Sequence, residues 1–198
     1  MKKIVCLLGS PRDGGNSDQL ANRFCAAAEK HGAKVNIHAL RDLRFDGYIP
    51  DAERHREEAL GEHPDDLEGV LADVAKADIL VVATPIYFCN MTGLLKQALD
   101  RFFEFLKPDY LTAAIPSRLG RDRRFVLVQV QGEGEDRYGD LLEQYGPALD
   151  KLGYTHLSLL RACSVREIGD VQNQRDVLQK ADHLARSLVL GENVTAVG

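Results

Sequence analysis

The chain has little cysteine, and none of it is arranged for chemistry. Cys6, Cys25, Cys89 and Cys163 are the only four in 198 residues, with no C-x-x-C pair among them. A disulfide framework is not expected in a chain long enough to build its own core, and a structural zinc site needs local ligand pairs. Cys6 and Cys25 read as small buried hydrophobes. Positive charge is also in short supply: 25 basic residues face 30 acidic ones, for a net charge of -5. A surface of that sign repels a phosphate backbone, so no nucleic-acid partner is expected. No uninterrupted apolar run is long enough to span a bilayer, so no membrane partner is expected. The start carries Lys2 and Lys3 as a signal peptide would, but its apolar run stops at Leu8 and no A-x-A site follows. The expected location is cytoplasmic.

What is present is an ordinary globular composition, 44% apolar and without a low-complexity block. It predicts one domain over residues 1–198, able to bury about 70% of its unfolded surface. Short apolar runs alternate with helical patterns five times. Residues 3–8 read as a buried strand closed by Gly9-Ser10-Pro11, and Leu20, Phe24, Ala27 and Ala28 recur at helical spacing up to Gly32. Residues 34–39 alternate as a half-buried strand near a sheet edge. A helix is expected from Asp66, a strand over 79–83, and then a helix whose apolar stripe runs from Met91 to Phe102 and Phe103. A strand over 125–130, a helix around Leu141 to Leu152 kinked at Gly146-Pro147, a strand over 154–162 and a last helix through Leu188 complete the pattern. This is the signature of an α/β fold, a parallel sheet covered on both faces in a three-layer sandwich. Five strands favour the order 2-1-3-4-5, with a switch point between the first and third.

Ligands of such sheets bind beyond the carboxyl ends of the strands, at the switch point. Three segments reach that edge. The first, Gly9 to Ser17, is a glycine- and hydroxyl-rich turn opening a helix. Its free N–H groups, with Ser10, Asn16 and Ser17 as neutral donors and Arg12 as a mobile charge, make a phosphate cradle. It matches neither G-x-x-x-x-G-K-[ST] nor G-x-G-x-x-G, so neither an NTPase nor an ordinary dinucleotide fold is indicated. The second, Thr84 to Met91, places Tyr87 and Phe88 directly after a buried strand, as a flat wall for a planar ring, with Pro85 stiffening the loop. The third is Gln131-Gly132-Glu133-Gly134.

The segments Gly-Ser-Pro-Arg-x-x-Gly-Asn-Ser and Pro-Ile-Tyr-Phe-x-x-Met-Thr-Gly-x-Leu-Lys-x-x-x-Asp-Arg resemble the NADPH-dependent FMN reductase family of the flavodoxin-like superfamily, and are closest to its iron–sulfur flavoprotein branch. The resemblance runs from Lys3 to about Leu188. It implies a flavodoxin-like FMN-binding domain, usually dimeric or tetrameric. It also implies an oxidoreductase that passes hydride from NAD(P)H through FMN to a small acceptor such as a quinone or a flavin. An FMN electron carrier of flavodoxin type, reduced by a partner protein, is the alternative. Carried over, Ser10, Arg12, Asn16 and Ser17 match phosphate-binding positions; Pro85, Ile86, Tyr87 and Phe88 match the loop along the flavin ring. Asn90 is a further contact, and Gln131 and Gly132 lie by position at the ring's other edge. No side chain is required as an acid or base, so no catalytic residue is named.

One departure separates the chain from the cluster-bearing branch. The stretch from Asp42 to Asp66, where that branch carries its cysteine motif, has no cysteine. Without thiolates no iron–sulfur cluster is expected, and no metal site is named. His55 and His63 read there as surface residues. Asp51 to Asp73 holds nine acidic residues against Arg54 and Arg56; it reads as a solvated face, or as a lid or dimer arm over the flavin. Cys89 reads as a small filler. Arg118, Arg121, Arg123 and Arg124 form a basic cluster that reads as a solvated strand entry, or as a site for a nicotinamide 2′-phosphate or an acidic patch on a second subunit.

Overall fold

A computed structural model describes residues 1–48 and 65–192 of the chain. The elements follow in the order β1 (Lys3–Leu8), α1 (Asn16–Lys30), β2 (Lys34–Ala39), α2 (Leu67–Lys76), β3 (Ile79–Pro85), α3 (Gly93–Asp100), β4 (Arg123–Val130), α4 (Leu141–Leu152), β5 (Tyr154–Ala162) and α5 (Arg175–Leu190). The five strands form one parallel sheet in the order β2-β1-β3-β4-β5.

The central strands β1, β3 and β4 bury both faces because their apolar runs are nearly continuous while their side chains alternate. Ile4, Cys6 and Leu8 of β1 face one way, with Ile79, Val81 and Ala83 of β3 and Val126, Val128 and Val130 of β4. They pack against Leu20, Phe24 and Ala28 of α1 and Ala181, Leu184 and Leu188 of α5. Val5, Leu7, Leu80, Val82, Phe125 and Leu127 face the other way, onto α2, α3 and α4. Cys6 and Cys25 meet in the first of these layers, both buried. Contact with Cys25, followed by burial, pushes the Cys6 thiol well above its ordinary value, which keeps it an inert thiol.

Strand β2 is an edge, as its half-buried alternation requires. Its Asn36 and His38 both reach Asp73 of α2, at 3.2 and 3.1 Å. Helix α4 runs unbroken through Pro147, so the expected interruption at Gly146-Pro147 does not split it. The expected long stripe to Phe103 does divide: α3 stops at Asp100 and Arg101–Phe105 continue as a 3₁₀ turn. There the buried Arg101 pairs with Glu104 three residues on, the spacing a 3₁₀ turn brings into line, and with Asp65 at 2.6 Å. Phe102 is buried, whereas Phe103 is half exposed and stacks on Tyr48 with ring centroids 5.2 Å apart.

Arg101 also donates to the Asp46 carbonyl, and Arg44 and Asp66 exchange bonds of 2.9 and 3.0 Å. The chain is thereby tied on both sides of residues 49–64. Arg54, Arg56, His55, His63 and most of the acidic stretch read as a lid or arm lie outside the described residues.

Candidate functional site

The carboxyl ends of β1, β3 and β4 deliver the three predicted segments to one edge. Gly9 continues β1 by donating to the Ala83 carbonyl at 2.8 Å. A Cβ at Gly9 would sit 2.7 Å from the Leu95 Cβ of α3, so only glycine lets α3 come this close. Thr92 locks the approach: its hydroxyl donates to the Gly9 carbonyl at 2.6 Å and accepts from Leu95 N–H as the N-cap of α3. Thr92 N–H in turn donates to the Thr84 hydroxyl, which donates to the Pro85 carbonyl. Sequence reasoning assigned no role to either threonine, although a Thr two residues before an apolar helical run is an N-cap signal.

In the first segment, Ser10 is buried and its hydroxyl is spent within the turn, accepting from Arg12 N–H and donating to the Arg12 carbonyl. Arg12 itself is exposed. Gly14 takes a φ of +62°, where L side chains are strained, and a Cβ on Gly15 would press on the Ser10 hydroxyl at 3.2 Å. Ser17, in the first turn of α1, is buried, and its hydroxyl has no hydrogen-bond partner. Asn16 is placed differently from its expected role. Its amide donates to the Glu167 carbonyl at 2.8 Å, and its oxygen accepts from Gly169 and Val171 N–H. Its side chain therefore clamps the loop after β5, and only its backbone N–H remains for a ligand.

Two residues that sequence reasoning passed over shape this turn. Asp18 is buried, and burial raises its carboxyl above the usual range even though Arg41, just after β2, sits against it at 2.8 Å. Arg41 also reaches Asp13 at 2.6 Å and the Ser10 carbonyl at 3.4 Å.

The second segment folds as a two-residue hairpin turn. Tyr87 and Asn90 exchange backbone bonds of 2.8 and 3.1 Å, and Phe88 and Cys89 between them have φ of +48° and +64°. That pair of left-handed residues is the type I′ geometry, here without glycine or asparagine at either central position. The turn holds Phe88 fully exposed and Tyr87 partly so, at 41%, while Pro85 and Ile86 stay half-buried at its base. Ile86 N–H pairs with the Val130 carbonyl. Cys89 is exposed rather than a packed filler, with its sulfur 3.5 Å from the Tyr138 hydroxyl. The Asn90 side chain is turned to structure: its oxygen accepts from Met91 N–H and from the Tyr145 hydroxyl of α4 at 2.9 Å.

In the third segment Gln131 is buried and fully occupied. Its amide donates to the Gly134 and Arg137 carbonyls, and its oxygen accepts from Gln129 and Arg161. It shapes the loop after β4 rather than projecting from it. Gly132 lies under Arg166, whose Nε donates to the Gly132 carbonyl at 3.3 Å.

The basic cluster lies elsewhere. The Arg123 guanidinium closes the C-terminus of α2 through the Val74, Ala75 and Ala77 carbonyls, and Arg118 donates to those of Glu104 and Leu106. Arg123 and Arg124 begin β4, a strand-length from the ligand edge, and cannot meet a nicotinamide there. A cleft of about 210 Å³ lined in part by Lys3, Lys34, Asn36 and Asp73 also opens at the amino ends of β1 and β2, and no candidate residue lines it. Among the described residues no helix is long and apolar enough to cross a membrane, and no group of His, Cys, Asp and Glu could hold a metal ion.

The sequence model of the NADPH-dependent FMN reductase family matches residues 2–132. The chain belongs to this family. Among curated relatives it is similar to YwqN of Bacillus subtilis, provisionally named an NAD(P)H-dependent FMN-containing oxidoreductase. They share 30% identity over 115 residues, 54% of this chain and 58% of that one. It is also 27% identical over 99 residues to the iron–sulfur flavoprotein MJ1083 of Methanocaldococcus jannaschii, covering 50% of this chain and 51% of that one. The chain thus spans a little over half the length of the curated relatives it matches. The fold is that of an FMN-dependent NADH-azoreductase from Bacillus anthracis solved with FMN, at a TM-score of 0.72 and 16% identity over 95% of this chain and 100% of that one. It is also that of an NAD(P)H:quinone oxidoreductase from Methanothermobacter marburgensis, at 0.71 and 18% over 94% and 96%.

Proposed function

We propose that this member of the family is an FMN-dependent NAD(P)H oxidoreductase that passes hydride from a nicotinamide through FMN to a small acceptor such as a quinone or a flavin. The observation that carries the reading is the Ser17 hydroxyl. It is buried and unpaired in the first turn of α1, beside a glycine turn that no larger residue could form without strain. A buried hydroxyl left unpaired is costly, and a phosphate oxygen is the partner that a helix N-terminus favours. FMN fits these residues. When bound, it supplies the two-electron chemistry that no side chain provides.

The chain's own residues bind and orient. The Ser17 hydroxyl and the backbone N–H groups of Asn16 and Ser17 hold the phosphate, with Arg12 as a mobile counter-charge at the rim. Pro85, Ile86, Tyr87 and Phe88 flank the ring, and Gly132 closes its other side. Asn16, Asn90 and Gln131 fix the loops around them. Open access past Phe88 lets a nicotinamide and then an acceptor occupy the same place, so steady-state kinetics are expected to be ping-pong. Assembly as a homodimer or homotetramer belongs to the same proposal, supported by the half-exposed Phe103 and Tyr48 pair.

The test is the visible spectrum of the purified protein, with mass analysis of the released cofactor, followed by anaerobic addition of NADPH or NADH. FMN that bleaches with the nicotinamide alone is the expected result. Bleaching only with a partner reductase makes the chain a carrier, and a protein that stays colourless with added FMN overturns the reading.

A further inference from the structure

The phosphate turn is built around a buried negative charge. Asp18 lies in the first turn of α1, one residue beyond Ser17, with its side chain only 2% exposed. One of its oxygens has no hydrogen-bond partner, and the other is held by Arg41 at 2.8 Å. The field at a helix N-terminus favours an anion, and this carboxylate competes with any bound phosphate for the same field. Arg41 is the counterweight. Its side chain is 16% exposed, and it arrives from a different element, the 3₁₀ turn after β2. Its second contact, Asp13, is 91% exposed, so that pair is screened by solvent and contributes little. The Asp18 pair is buried, and removing one partner would leave an uncompensated charge beside the turn.

Resting on the FMN reading above, we infer that Arg41 is a positioning residue of the cofactor site. By neutralising Asp18 and bonding the Ser10 carbonyl, it makes the turn selective for a phosphorylated flavin over an unphosphorylated one. Arg41 touches no cofactor in this assignment; it acts through Asp18 and Ser10. The ligand selected is the phosphate monoester of the flavin, and the discriminating comparison is FMN against riboflavin.

The test is binding of each flavin to the apoprotein by fluorescence quenching at about pH 8, well above the ordinary carboxylate range. Wild-type protein is expected to prefer FMN. Arg41→Gln is expected to weaken FMN by roughly tenfold or more while leaving riboflavin nearly unchanged, because only the phosphate feels the unmasked carboxylate. Arg41→Gln with Asp18→Asn is expected to recover most of the FMN affinity. Asp18→Asn alone keeps the side-chain shape and stands in should Arg41→Gln not fold; it is expected to hold FMN at least as tightly as wild type. Equal losses of FMN and riboflavin in Arg41→Gln, no recovery in the double variant, or weakened FMN in Asp18→Asn would each overturn the role of Arg41 while leaving the FMN reading intact. A wild-type protein that binds riboflavin as tightly as FMN would overturn the phosphate reading, and the role of Arg41 with it.

Discussion

Ser17 and Asn16 are neighbours in one helical turn, yet they face different tasks. The Ser17 hydroxyl is buried without a partner, and the Asn16 side chain has three bonds to the loop after β5. The two substitutions should therefore separate. Ser17→Ala removes a hydroxyl that has no partner in the folded protein, so it is expected to weaken FMN about tenfold with little change in folding stability, read by flavin titration beside urea unfolding. Asn16→Ala strands the Gly169 and Val171 donors and is expected to cost about 2–3 kcal/mol of stability. Stability unchanged in Asn16→Ala would refute the clamp. The sequence marked Ser17 as a candidate because a hydroxyl at a helix start after a glycine turn either caps the helix or meets an anion, and its hydroxyl is buried without a partner. The clamp was not legible, since Glu167 lies 151 residues from Asn16. Nor was the Arg41–Asp18 pair, which joins two elements that only the folded sheet sets side by side.

At the scale of elements, the buried strands were legible because each is an unbroken apolar run ended by glycine or proline. β1, β2 and β5 keep the bounds their patterns predict. The division of the stripe after Asp100 was not legible, because it depends on Arg101 finding Asp65 from a distant part of the chain. The hairpin turn at Phe88 and Cys89 was hidden for the opposite reason: its sequence lacks the glycine or asparagine that marks a type I′ turn. Two left-handed residues side by side store strain at the place where a ring would dock. Cys89→Gly removes the Cβ from one of them. After the extra freedom glycine gains in the unfolded chain, it is expected to raise stability by about 0.5–1 kcal/mol, measured by urea unfolding. The same variant is expected to bind flavin less tightly, because the turn then has other conformations to lose. A gain in both would show that the strain serves nothing at the site.

Over the whole molecule, the two ends of the parallel sheet carry different work. The carboxyl edge gathers glycine turns, unpaired donors and exposed aromatics. At the amino edge the Arg123 guanidinium binds backbone carbonyls at the end of α2, and Arg118 of the basic cluster is likewise spent on carbonyls, while Arg121 stays exposed. Tyr154 begins β5 at this end. It is buried against Phe125 at a centroid distance of 5.8 Å, and burial pushes its phenol up to about 12 against the pull of Arg123. The folded protein thus keeps a proton that the unfolded chain releases from about pH 10 upward. Folding then binds more protons than unfolding does, and stability falls as pH rises from about 10 to about 12. At about pH 11 this one group should cost about 1.4 kcal/mol relative to neutral pH. Tyr154→Phe has no proton to keep, so its urea midpoint should fall less than that of wild type between about pH 9 and about pH 11. The other tyrosines are common to both proteins, so the difference isolates Tyr154. Equal falls would mean that the Tyr154 hydroxyl reaches solvent, and that the amino end of the sheet is less closed than its packing indicates.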